Sequence, residues 1–78
     1  MPHIAVKMYK GRTEAQKQEL AEKITEAVKT VLASGDIWIS VGIEDFDSAV
    51  WDEEVYIPEI AGKSSTLYKK PGYGSLAE

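Results

Sequence analysis

The chain has no cysteine, one histidine, one phenylalanine and only three prolines among 78 residues. Without cysteine there is no disulfide, no thiol nucleophile and no thiolate zinc site. The single histidine, His3, excludes a multi-histidine metal site as well. No apolar run approaches the roughly 20 residues of a membrane helix. The opening Met1-Pro2-His3-Ile4-Ala5 lacks a basic stretch followed by a long apolar core. A cytoplasmic protein with no membrane partner is the expectation. Positive charge is also short: nine Lys and Arg against thirteen Asp and Glu leave a net −4. That balance argues against nucleic acid as a partner, which usually needs a basic face. The length allows one domain, residues 1–78, and a domain this small is marginal without reinforcement. With disulfides and thiolate zinc excluded, the usual remaining remedy is self-association.

What is present reads as strand, helix, strand and a less regular tail. His3 to Tyr9 alternates as a first strand, with Ile4, Val6 and Met8 on one face and Ala5, Lys7 and Tyr9 on the other. Thr13, with Gln16 three residues on, is a capping box. The spacing predicts a helix from about Glu14 to Ala33. Its apolar stripe is Leu20, Ile24, Ala27, Val28, Val31 and Leu32, and its polar face carries Lys17, Glu19, Glu22, Lys23, Glu26 and Lys29. Ser34-Gly35-Asp36 stops it. Ile37 to Ile43 is the predicted second strand, with Ile37, Ile39, Val41 and Ile43 on one face. Strand, long crossover helix and strand make a right-handed parallel βαβ unit. The fold class is therefore α+β: one parallel β-α-β unit with a short irregular or helical C-terminal tail. Two strands and one helix do not cover their own apolar surface, so the sheet is expected to extend by pairing with a second copy. In the tail, Asp45-Phe46-Asp47-Ser48 reads as a loop and Ala49 to Ile57 as a short helix or a hairpin arm. Pro58 reads as the first position of a weak helix, Glu59 to Lys69. Lys70-Pro71-Gly72-Tyr73-Gly74 turns the chain, and the last few residues are expected to be loose.

The catalytic inventory is thin. There is no phosphate-binding glycine loop, and His3 has no evident serine partner for a triad. The carboxylates Glu44, Asp45, Asp47, Asp52, Glu53 and Glu54 read as a solvated surface. Pro2 is different. Removal of Met1 before a small residue makes its nitrogen a secondary amine. Such an amine in a partly apolar pocket, near positive charge, has its protonated form disfavoured, which poises it as a base near neutrality. That suits proton transfer next to a carbonyl. Arg12 lies just before the N-cap Thr13, at the positive end of the helix dipole, where an arginine fork is suited to a carboxylate. Pro2 also reads as an ordinary proline, and Arg12 as a solvated helix-start arginine.

Taken together, Pro2, a short strand, then Gly11-Arg12-Thr13-Glu14-Ala15-Gln16-Lys17 opening an amphipathic helix, then an Ile/Val strand, resembles the 4-oxalocrotonate tautomerase group of the tautomerase superfamily. The resemblance covers about residues 2 to 51. The ending Lys69-Lys70-Pro71-Gly72-Tyr73 looks like that of the longer, dimeric members that ketonise phenylenolpyruvate. The resemblance implies a cofactor-free keto–enol tautomerase with the superfamily's fold. It implies Pro2 as general base and acid, and Arg12 as the anchor for the substrate's carboxylate. Trp51 matches a pocket aromatic, and reads equally as an ordinary packing tryptophan. The second family arginine falls on Ser40, which puts a dicarboxylate substrate in doubt and favours an enol or 2-keto acid with one carboxylate and an aromatic end. His3 reads as an edge or interface residue, or as a substrate hydrogen-bonder. Lys7 and Lys10 either replace the absent charge or are simply solvated, and Tyr9 and Phe46 are candidate pocket walls. The resemblance further implies a homodimer, or a dimer-based hexamer as in shorter relatives. Two other readings stay open. One is a proline-dependent hydratase or dehalogenase. The other is a non-catalytic small-molecule-binding or assembly module, which is what remains if Met1 is retained and the Pro2 nitrogen stays an amide.

Overall fold

The computed structural model describes residues 1–77. The chain divides into two compact units, Met1–Phe46 and Asp47–Glu78. The first is a β-α-β unit: strand β1 (His3–Tyr9), helix α1 (Glu14–Leu32) and strand β2 (Ser40–Phe46). β1 and β2 pair in parallel, with His3 opposite Ser40 and Tyr9 opposite Phe46. β1 and the start of α1 stand where the residue pattern predicts. Thr13 caps the helix by accepting from the Gln16 N–H, and the Gln16 side chain returns to the Thr13 N–H, so two of the helix's orphan donors are satisfied. Ala33 closes the helix in the left-handed region, φ 53°.

β2 departs from expectation. Asp36–Trp38 forms a single 3₁₀ turn, closed by hydrogen bonds from Trp38 N to Gly35 O and from Ile39 N to Asp36 O. The strand therefore begins at Ser40 and runs on through Glu44, Asp45 and Phe46. Ile37 is 83% exposed and shares no strand face with Val41 and Ile43. The parallel register decides this: β1 starts at His3, whose partner is Ser40, so Ile37 has no β1 residue to pair with. Val41 and Ile43 face α1, lining a shallow groove with Lys17 and Ala21. By alternation, Ser40, Gly42 and their β1 partners lie on the opposite face.

The inward stripe of α1 is Lys17, Ala21, Ile24, Thr25 and Val28, all half-buried. Val31 and Leu32, predicted to face inward, are 78% and 61% exposed. Lys17, predicted on the outer face, turns inward because Asp45 of β2 stands there. Its Nζ lies 2.5 Å from the Asp45 carboxylate and 3.1 Å from that of Glu14.

The second unit is built on a nine-residue π-helix, Asp52–Ile60, followed by tight 3₁₀ turns over Ala61–Thr66 that break at Lys63. Of the two forms open for Ala49 to Ile57, the helix is the one realised. The predicted helix Glu59 to Lys69 is formed only in part, as the end of the π-helix and the 3₁₀ turns to Thr66. Pro58 sits inside the π-helix rather than at a helix start. The wider turn relieves the clash between the proline ring and the preceding carbonyl that an α-helix would impose. Val55 and Tyr56, on this helix, are the buried apolar residues among the described residues. The predicted loose end is corrected at Ser75 and Leu76, which bond to the Tyr56 hydroxyl at 3.0 and 3.1 Å. Glu78 lies outside the described residues.

Candidate functional site

Pro2 is half-buried and stands immediately before β1. Its carbonyl accepts a hydrogen bond from the backbone N–H of Ser40, 3.2 Å away. The residue bearing the candidate amine is thus tied to the first rung of the sheet, and the strand that follows limits its motion. His3, the next residue, places Nδ1 2.7 Å from Oγ of Ser40. One serine therefore holds two consecutive residues, Pro2 by its backbone and His3 by its hydroxyl.

Arg12 is exposed, in the short link between β1 and the cap of α1. It lines a cavity of about 170 Å³ with Met8, Gln16, Lys17 and Leu20. Two cationic side chains and an amide over an apolar floor suit an anionic group on a carbon chain. One of those cations, Lys17, is already engaged by Asp45 and Glu14.

Pro2 and Arg12 are not brought together within one chain. They flank opposite ends of β1, whose seven residues span about 20 Å at a rise of roughly 3.3 Å per residue. That exceeds the length of a small enol acid. Lys7 lies over the Phe46 ring at 5.6 Å from its centroid, and Lys10 donates its backbone N–H to Phe46 O at 3.0 Å. These contacts belong to the Phe46 end of the sheet, away from Pro2.

Trp51 belongs to the second unit. It is half-buried, and its indole N–H donates to the Tyr73 hydroxyl at 3.1 Å. Tyr73 in turn stacks obliquely on Tyr56, ring centroids 5.5 Å apart. Trp51 is thus held by the C-terminal segment, an aromatic contact that sequence spacing does not reveal. The pairing of His3 with Ser40 is likewise not readable from sequence, where His3 has no evident serine partner; only the strand register sets one opposite the other.

Comparison with known proteins shows what the chain as a whole is similar to. A family model described as tautomerase enzyme matches residues 2–52. A probable tautomerase of Xylella fastidiosa is 42% identical over 77 residues, covering 99% of this chain and 94% of the relative. A 2-hydroxymuconate tautomerase of Bacillus subtilis is 49% identical over 45 residues, 58% of this chain and 73% of that protein. Among solved structures, YwhB, a homologue of 4-oxalocrotonate tautomerase, superposes with a TM-score of 0.58 at 46% identity, over 59% of this chain and 75% of the other.

Proposed function

The chain belongs to the tautomerase family and is a tautomerase, and from that premise we propose that it ketonises an enol acid with one carboxylate, such as phenylenolpyruvate. The nitrogen of Pro2, after loss of Met1, is the general base and acid. It takes the proton from the enol oxygen, and the oxygen's electrons form the carbonyl. The π pair of the carbon–carbon bond takes a proton from the ammonium at the neighbouring carbon, restoring the amine. Arg12 anchors the carboxylate, and Trp51 supplies an apolar wall.

The observation that carries this reading is the placement of Pro2. It is half-buried, immediately before a paired strand and bonded through its carbonyl to Ser40. A base so held acts without the entropy cost of a free amine. The serine at position 40, in place of a second arginine, favours one carboxylate over the dicarboxylate named for the Bacillus relative.

Because Pro2 and Arg12 flank opposite ends of β1, the complete site is assembled from two chains of a homo-oligomer, a dimer or a larger assembly of dimers. The test is ultraviolet-monitored ketonisation of phenylenolpyruvate by mass-verified, Met1-free protein. Pro2→Ala is expected to lower kcat by about 10² or more, the contribution of a general base. A rate no better than buffer, or one that survives in Pro2→Ala, sinks this reading.

A further inference from the structure

We propose that His3, set by Ser40, is the hydrogen-bond donor to the substrate's C2 oxygen beside Pro2. The inference rests on the tautomerase reading and deepens it.

The geometry is local and closed. Parallel pairing places His3 opposite Ser40. The Ser40 backbone N–H donates to Pro2 O at 3.2 Å, and its Oγ lies 2.7 Å from His3 Nδ1. With the hydroxyl donating to Nδ1, the neutral ring carries its proton on Nε2. Nε2–H is then a fixed donor one residue from the candidate base. Gly42, the next residue of β2 on that face, lies beside the ring: a Cβ there would stand 3.9 Å from His3 Cε1, an ordinary van der Waals contact. The face is the one turned away from α1, so helix packing does not compete for it.

The chemistry asks for such a group. As the enol proton leaves for the Pro2 amine, negative charge grows on the C2 oxygen. A donor already aimed there lowers the barrier without reorganising at the moment of reaction. A second arginine would do the same while also binding a further carboxylate. A neutral imidazole stabilises the oxygen and recruits no second anion. The His3–Ser40 pair therefore fits the proposed substrate with one carboxylate.

The chain contains a single histidine, so the imidazole ¹⁵N spectrum of untagged, Met1-free protein reports on His3 alone. In mildly alkaline buffer the ring is expected to be protonated at Nε2. That resonance is expected to move when phenylpyruvate, the keto product, is added. Ser40→Ala should lose the tautomer preference, and Ser40→Thr, which keeps the hydroxyl, should retain it. In the ketonisation assay, His3→Ala is expected to lower kcat about 10- to 100-fold with KM within about threefold, the mark of a contact made mainly in the transition state. His3→Gln, whose amide reaches the Nε2 position, should recover part of the loss. An Nδ1-protonated ring overturns the proposal. So does an Nε2 resonance that stays still while phenylpyruvate shifts backbone amides. If ketonisation depends on Pro2 while the ring is unmoved, the tautomerase reading stands and the role of His3 falls. If the ring responds but no Pro2-dependent turnover exists, the tautomerase reading falls for this substrate and the donor is upheld as a binding group.

Discussion

Tyr56 holds the C-terminal segment through one oxygen, which bonds Ser75 Oγ and accepts from the Leu76 N–H. The chain reaches that oxygen only because position 74 is glycine. Its φ is +73°, and a Cβ there would stand 2.5 Å from the Tyr56 phenol. Gly74→Ala is therefore expected to destabilise the protein by about 1–3 kcal/mol, through backbone strain and loss of the hydroxyl bonds. The denaturation midpoint measures the cost, and faster exchange of the Leu76 amide locates it. Trp51 depends on the same segment through Tyr73, so a change in near-ultraviolet circular dichroism should accompany the loss.

Helix α1 is strongly made at its start and awkwardly made at its end. The capping box secures the first turn, whereas Ala33 takes a left-handed conformation that favours glycine. Ala33→Gly is expected to raise stability by about 0.5–1 kcal/mol, read from the shift in denaturation midpoint at constant slope. The helix is joined to β2 through Lys17. Its hydrogen bond to Asp45, and then that to Glu14, raise the Lys17 ammonium above its ordinary 10.5. Because the folded value is the higher one, this stabilisation is fully present below pH 10.5 and is lost as pH climbs through the folded value. The stability difference between the protein and Lys17→Met should hold steady through neutral pH and shrink above 10.5. A difference that stays constant into strong alkali would show that Lys17 contributes packing rather than charge.

In the first unit no described residue is fully buried, while Val31, Leu32, Ile37 and Trp38 are largely exposed. A two-stranded sheet and one helix leave apolar area that only another surface removes from water. A second copy of the chain is the occupant that the proposed site also demands, since one chain separates Pro2 from Arg12 along β1. Mixing inactive Pro2→Ala and Arg12→Ala proteins under subunit exchange should therefore restore activity. In a randomly mixed dimer half of the assemblies are mixed, and half of their sites are intact. About a quarter of the unsubstituted rate is the expected recovery. No recovery, with exchange confirmed by mass, would place the site within one chain.

Much of this was legible from residue order. The strand His3–Tyr9, the capping box at Thr13 and the helix that follows are local features. Alternation, side-chain capping and 3.6-residue spacing act over a few residues, so the sequence alone determines them. Pro2 and Arg12 stood out for the same reason: each owes its candidate chemistry to its immediate neighbours in the chain. Partners distant in sequence were not legible. The shift of β2 from Ile37 to Ser40, the turn of Lys17 toward Asp45, and the bond between His3 and Ser40 all follow from strand register and helix placement. Pro58 within a π-helix follows from a wide turn that propensity does not anticipate. The sequence determined which groups are present and which short elements carry them. Only the tertiary structure decided which of them meet, because a contact across 28 or 37 residues is settled by packing and pairing rather than by local preference.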